Sequence, residues 1–462
     1  MKIKIHFLLL AGVLCCATAC YNKSSAQLNI SSRIVKDSLF IPWEIIYGPD
    51  DHIWFTQKNG YICRLDPANG QTDTMYHETA TVILNGGEGG MLGMALHPSF
   101  DTQPYVYVAY EYLNGAGNYR ERVVRLTYVN NVLQSPQVLL DDIVGAIYHN
   151  GCRLLIVGDK LFISTGDATA GGNAQNLQSV NGKVLRINLD GTIPADNPIA
   201  GNPAWSWGHR NPEGLVFANN MLYSSEHGPN NDDEINIIRK GRNYGWPDVE
   251  GFCNLPAEQT FCADSNVVEP LIAWTPTIAP SGMVYYDLPM FAGLQNSLLL
   301  ATLKDQHLYQ LQLNNAKDSV VSAQVINGVN FGRLRDICLS PTGSIFISTS
   351  NSAAAGTGPK VDRIIELYDP SFNAVPETKK QSWSLAVYPN PVKQELRLKF
   401  ESYAVRGGLD GEITDPEGRV VLQISGHNAA KPVAVAGLAP GVYFLKLRDG
   451  DRVLPVQRFV KQ

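Results

Sequence analysis

A short apolar strand headed by turn residues recurs six times along this chain, and that repeat constrains the fold more than any other feature. Gly48-Pro49-Asp50-Asp51-His52 precedes Ile53-Trp54-Phe55-Thr56, and Pro104 precedes Tyr105 to Tyr110. Val157-Gly158-Asp159-Lys160 precedes Leu161 to Thr165, and Asn219-Asn220 precedes Met221 to Ser225. Gln295-Asn296-Ser297 precedes Leu298 to Thr302, and Ser340 to Ser344 precedes Ile345 to Thr349. The copies lie roughly 50 to 75 residues apart, the spacing of propeller blades with insertions. Second strands follow several of them across a loop, at Tyr61–Leu65, Val123–Leu126, Lys183–Ile187 and Leu308–Leu311, and Ile364–Leu367 closes the series. An up-down hairpin cannot bury both faces alone, so stacking around a channel is the economical arrangement. The expected fold is all-β: a six-bladed β-propeller over 28–370, the alternative being an irregular array of β-sandwiches. The 41 Gly and 27 Pro fit many short strands joined by turns.

Residues 1–26 read as a signal peptide. Lys2 and Lys4 precede an apolar run from His6 to Ala19, and Ser24-Ser25-Ala26 offers a small-residue cleavage site before Gln27. Ala17-Thr18-Ala19-Cys20 is a lipoprotein-type alternative. No later stretch has the roughly 18 consecutive apolar residues of a membrane span, so no transmembrane segment is expected. The net charge of -6 and the lack of Lys/Arg runs argue against a nucleic-acid partner. Five cysteines remain after the signal region, an odd number. Cys253 and Cys262 bracket a short polar loop and are read as its disulfide staple, while Cys63, Cys152 and Cys338 are read as small buried residues.

The texture changes after Tyr368-Asp369-Pro370, where a polar linker (371–383) leads into a tail, 384–462. Its markers are Tyr388-Pro389-Asn390-Pro391, the Asp415-Pro416-Glu417-Gly418-Arg419 hairpin, and Pro440-Gly441-Val442-Tyr443-Phe444-Leu445-Lys446-Leu447. This tail resembles the type A sorting domain of the type IX secretion system. The resemblance implies a small C-terminal β-sandwich, the type IX machinery as a partner, and a product that crosses the periplasm to be secreted or attached to the cell surface.

Polar residues concentrate between Trp207 and Pro247, beyond what packing alone requires. Gly208-His209-Arg210-Asn211-Pro212 sets a guanidinium beside an amide, which suits a planar anion. Gly228-Pro229-Asn230-Asn231-Asp232-Asp233-Glu234 offers carbonyls and carboxylates, the hard oxygen ligands that calcium prefers. A solvated surface loop is the plain alternative for both.

With those residues go Pro42-Trp43, Gly89-Gly90-Met91-Leu92-Gly93, His149-Asn150-Gly151, Gly182 to Gly191, Ala279-Pro280-Ser281-Gly282, Thr302-Leu303-Lys304 and Arg333-Leu334-Arg335-Asp336. The ordered set, across nearly the whole of 40–370, resembles the soluble pyrroloquinoline quinone (PQQ)-dependent glucose/sorbosone dehydrogenases, also called aldose sugar dehydrogenases. The resemblance implies oxidation of an aldose at C1 to a lactone, with PQQ and Ca2+ as cofactors and electrons passed to an external acceptor. It implies His149 as general base and Asp167 as the carboxylate orienting it. Arg210, Asn211, Lys304, Arg333 and Arg335 fall at cofactor-binding positions, with Gln175 as an amide contact. Strand alternation sends Arg333 and Arg335 to one face. The carbonyls of Gly228 and Pro229 fall to the calcium that meets the quinone, and Glu234 and Tyr244 to a structural calcium. Glu88 stands in the cofactor pocket where glucose-oxidising members carry Gln; it can accept sugar hydroxyls and it can repel the anionic cofactor. A calcium-dependent sugar lactonase and a non-catalytic propeller binding glycan or protein are the rival readings; the cations at 304, 333 and 335 speak against the lactonase.

Overall fold

The structure, a computed structural model, describes residues 28–79, 86–352, 359–372, 384–401, 405, 407–416, 418–450, 452–454 and 456–462. The signal segment 1–26 and the linker from 373 lie outside the described residues. The chain divides near residue 373 into two compact units.

Among the described residues of the first unit, strands form six antiparallel four-stranded sheets, blades 1 to 6. Their innermost strands are Pro42–Tyr47, Met91–Leu96, Gly151–Val157, Pro212–Ala218, Pro280–Tyr286 and Leu334–Leu339. These contact one another in that order, and the last returns to the first, so the sheets close around an axis. The six repeated strands of the sequence are the second strands of the blades, and the strands that follow them are third. Blade 6 takes its outermost strand from the start of the domain: Ser31–Leu39 pairs with Asp362–Tyr368 and ties the ring shut. Side chains between neighbouring blades fill the core; Trp54, Tyr107, Phe55 and Ile53 are fully buried. Each residue such as Phe55 or Ile53 contributes roughly 1.5–3 kcal/mol by leaving water.

Every innermost strand breaks register with its neighbour within its first residues, between Pro42 and Ile45, Met91 and Met94, Gly151 and Leu154, Pro212 and Gly214, Pro280 and Met283, and Leu334 and Asp336. A bulge re-aims side chains locally, and here it does so at the same end of all blades. The third residues of these strands are Glu44, Gly93, Arg153, Gly214, Gly282 and Asp336. Arg153 Nη1 lies 2.7 Å from Glu44 and 3.1 Å from Asp336, joining blades 3, 1 and 6. Gly282 leaves room for that cluster, because a Cβ there would fall 1.8 Å from Asp336 Oδ1.

Cys253 and Cys262 form a disulfide, and Cys63, Cys152 and Cys338 are free and buried, as read from the sequence. The bracketed segment is not a loop, however, but mostly a helix, Pro256–Ser265. It has no apolar face to announce it; Glu258 reaching back to the Leu255 N–H at 2.9 Å and Asn266 in the left-handed region close its ends.

The second unit holds a sheet of Ser384–Tyr388, Glu395–Glu401 and Val433–Ala434, and a larger one built on Leu409–Thr414, Val420–His427 and Gly441–Asp449. Leu396, Leu409, Ile413, Leu445 and Phe459 form a buried apolar cluster within it, the core of a β-sandwich. Among the described residues no helix is long and apolar enough to cross a membrane.

Candidate active site

The loops entering blades 2, 3 and 4 bring Glu88, His149 and Asn211 together, and Asp167 joins them from the loop between the second and third strands of blade 3. His149 stands just before the innermost strand of blade 3, with φ +61°. Its backbone N–H donates to Glu88 Oε2 at 2.7 Å, and its ring Nδ1 lies 2.7 Å from Asp167 Oδ1. Gly166 gives the loop room: a Cβ there would lie 1.8 Å from the His149 carbonyl oxygen. Asp167 is buried, and its carboxylate also accepts from the Thr169 N–H at 2.7 Å and from the Trp246 indole N–H at 2.8 Å. A carboxylate so placed holds the proton on Nδ1 and leaves the Nε2 lone pair free to act as a base.

Behind the histidine, Asn211 donates to both Glu88 and Glu213, each at 3.1 Å, while its carbonyl accepts the Gly151 N–H at 3.0 Å. Arg335 Nη1 donates to Glu213 at 3.0 Å. Trp43 carries Arg153 on its ring at 4.3 Å and Arg335 at 5.6 Å. Lys58, also buried, donates to the Gly87 carbonyl. Burial pulls its ammonium down to about 8, helped by the Arg335 charge and opposed by Glu88, Glu111 and Glu213. Glu88, Glu213 and His227 present ligand atoms within 4.8 Å of one another. Asn211 already donates to both carboxylates, with the His149 N–H on Glu88 and Arg335 on Glu213, so their oxygens are occupied by protein donors.

Arg210 donates to the His227 carbonyl at 3.1 Å and lies 5.3 Å over the Trp246 ring. Burial holds its pKa below the usual arginine value. The expected alternation of Arg333 and Arg335 does not hold. Arg333 precedes the strand and the register breaks after Leu334, so Arg335 is buried while Arg333 is exposed at the rim, donating to the Leu303 carbonyl at 3.3 Å. The exposed Lys304, next to Leu303, donates to Thr277. Gln175 turns its amide into the protein, to Asn243 at 3.0 Å and the Trp246 carbonyl at 2.7 Å.

The buried Nε atoms of Arg210 and Arg335 have no partner. A guanidinium costs free energy when buried with a donor unmet. Unmet donors on two arginines, with Arg333 and Lys304 at the rim, fit a ligand carrying several carboxylates.

Gly228, Pro229, Glu234 and Tyr244 line one small cavity with Glu226, Asp232 and Glu250. Residues expected to serve two separate ions therefore share a pocket rich in hard oxygens, a donor set that fits calcium. The Tyr244 hydroxyl is already committed to Ile237 and Arg239, which leaves only its carbonyl for an ion. Glu234 is pushed well above the ordinary carboxylate range by burial and then by the Glu226 charge. His209, in the same motif, is spent on Glu226 and Ser206 at 2.9 and 2.8 Å.

Reading the sequence assigned no role to Lys58, Trp43, Glu213, His227 or Trp246. Trp43 stood in the Pro42-Trp43 pair and Trp246 within the polar stretch Trp207 to Pro247; Lys58, in the turn Gln57-Lys58-Asn59-Gly60, offered no signal at all.

The glucose/sorbosone dehydrogenase family matches residues 39–357, and a secretion system C-terminal sorting domain matches residues 386–462. Quinoprotein glucose dehydrogenase B of Acinetobacter calcoaceticus is 28% identical, covering 70% of this chain and 86% of its own. An aldose sugar dehydrogenase of Escherichia coli is 28% identical, covering 74% and 95%. The PQQ-bound structure of an aldose sugar dehydrogenase from Streptomyces coelicolor superposes with a TM-score of 0.63 at 29% identity, covering 73% of this chain and 98% of that one. The chain is an enzyme of the glucose/sorbosone dehydrogenase family and carries a C-terminal sorting domain of a secretion system.

Proposed function

We propose that the propeller oxidises aldose sugars at C1 to lactones, holding PQQ and Ca2+ at the mouth formed by the bulged strand ends. The reading is carried by one juxtaposition: the His149–Asp167 pair shares this mouth with Arg210 and Arg335, whose buried Nε donors are unmet. Family membership and the relatives' quinoprotein and aldose dehydrogenase names support it.

In this reading Arg210, Arg333, Arg335 and Lys304 bind the carboxylates of the cofactor and Asn211 orients its rim. The carbonyls of Gly228 and Pro229 would hold the adjoining calcium, with Glu234 and the Tyr244 carbonyl at a second ion or at the same one. When bound, the calcium-polarised quinone supplies the acceptor for the hydride that leaves C1. His149 Nε2 takes the proton of the C1 hydroxyl, and buried Asp167 stabilises the imidazolium that forms. Glu88 holds the His149 loop through its backbone N–H. The tail would route the enzyme through the type IX machinery to the cell surface or the medium, where an external acceptor collects the electrons.

Calorimetric titration of the apo-protein with PQQ in the presence of Ca2+ tests the cofactor site. Stoichiometric binding that weakens at least ~10-fold in Arg210→Ala or Arg335→Ala supports the reading, on the scale of one lost charged hydrogen bond. Absence of binding to the wild-type chain overturns it.

A further inference from the structure

Trp246 touches both the His149–Asp167 pair and the Arg210 guanidinium. Its indole Nε1 lies 2.8 Å from Asp167 Oδ2, opposite the oxygen that meets His149. Its ring lies beneath the Arg210 guanidinium, 5.3 Å from ring centre to Cζ. Its backbone is clamped on both sides, the N–H donating to the Gly208 carbonyl at 3.0 Å and the carbonyl accepting from Gln175 at 2.7 Å. It also lines the oxygen-rich cavity with Gly228 and Pro229.

We propose that Trp246 is a positioning residue that sets the basicity of His149 through Asp167 and couples it to the seating of the anionic cofactor over Arg210. This rests on the function proposed above.

Asp167 is buried and accepts three hydrogen bonds: from His149, Thr169 and Trp246. A donor on Oδ2 draws negative charge away from Oδ1, so the carboxylate stabilises the imidazolium less than an unshared one would. Loss of that donor returns charge to Oδ1 and strengthens its hold on a protonated ring. Other charges around it are Glu88 at its backbone N–H, and Arg210, whose charge interacts with those of both Asp167 and Glu88. Glu111 and Glu121 lie behind it, held by Asn150, and Lys58 donates to Gly87. None of them touches Oδ2, so the indole acts on the pair directly. Moving the ring, as Arg210 shifts to meet an anion, moves the donor on the orienting carboxylate.

The test is Trp246→Phe, which keeps a ring under Arg210 and deletes only the N–H. The acidic limb of kcat/KM should move to higher pH by at least ~0.5 unit, since one donor to the carboxylate is lost. PQQ affinity should stay within ~3-fold while kcat falls ~10-fold, because the altered interaction bears on the base rather than on binding. In the cofactor-free protein, the nitrogen-15 NMR titration midpoint of the His149 ring, identified by its absence in His149→Gln, should move up in parallel. In an Asp167→Asn background, Trp246→Phe should add no further change. An unmoved acidic limb and an unmoved imidazole titration overturn the proposal, even if kcat falls, because a packing defect alone produces that. If the Phe variant does not fold, Trp246→His, which retains a ring N–H, takes its place. Its acidic limb should stay within ~0.3 unit of wild type, and a full shift counts against the proposal. A wild-type protein that takes up PQQ but oxidises no aldose fails the function above, while the NMR arm still decides the Trp246–Asp167 link.

Discussion

Asp167 sits 2.7 Å from Nδ1 of His149 while its other oxygen is held by an indole, so the candidate base is oriented before any substrate arrives. Replacing His149 with Ala should leave PQQ binding intact and lower kcat by at least ~100-fold, the usual scale for a lost general base. Asp167→Asn should cost ~10-fold or more by releasing the tautomer. Steady-state rates beside a PQQ titration check both, and unchanged turnover in His149→Ala removes it from the mechanism.

Glu88 holds the His149 backbone at 2.7 Å and the Asn211 amide at 3.1 Å with a single oxygen. Glu88→Gln removes a negative charge whose field reaches Arg210 and Arg333. PQQ should therefore bind ~3- to 10-fold more tightly while kcat drops, the loop having lost its charge-assisted acceptor. Weaker binding in this variant would show that the carboxylate does not oppose the cofactor.

Glu226, Asp232, Glu234 and Glu250 crowd one small cavity, and Glu234 is driven up by burial and by Glu226. Like charges buried together are costly until a cation enters. Chelation should lower the thermal midpoint by several degrees and added Ca2+ should restore it, the mass-action effect of a ligand bound only by the folded state. Glu234→Gln should raise the midpoint of the chelated protein and abolish the calcium response. A response that survives places the ion elsewhere.

Glu111 is pushed from 4.5 up to about 8, chiefly by burial, with Asn150 and the Lys58 charge opposing. The folded state then binds its proton more tightly than the unfolded state does. The stability it contributes is full below pH ~4.5 and is lost as pH rises through ~8. Glu111→Gln should flatten the fall in propeller stability across that window, read as thermal midpoints from pH 5 to 8. An equally steep fall in the variant would assign it to other groups.

The architecture was legible where strands are apolar on both faces. Ile53 to Thr56 and Leu298 to Thr302 lie between neighbouring strands of their blades, and β-branched and aliphatic runs declare such positions. The innermost strands were hidden because each carries Gly, Pro or charge within its first three residues, as in Gly151-Cys152-Arg153 and Leu334-Arg335-Asp336, where side chains enter the channel or the site. Those same bulges undid the alternation expected for Arg333 and Arg335. The closing strand Ser31–Leu39 pairs with residues more than three hundred positions away, beyond the reach of any local pattern. His149, Asp167, Arg210, Asn211 and Glu88 were legible through their motifs and do converge. Trp246 and Lys58 were not assigned, because their partners come from other blades and a hydrogen bond across blades leaves no spacing in the sequence.

The central claim is that buried cations and an oriented imidazole at one mouth of the propeller form a quinone-dependent sugar oxidation site. Reconstituting purified apo-protein with PQQ and Ca2+, then following dye reduction across a panel of aldoses, tests it most directly. The account expects aldose-dependent turnover that requires PQQ, falls on chelation and vanishes in His149→Ala. Turnover without PQQ, or none with it, would contradict the account.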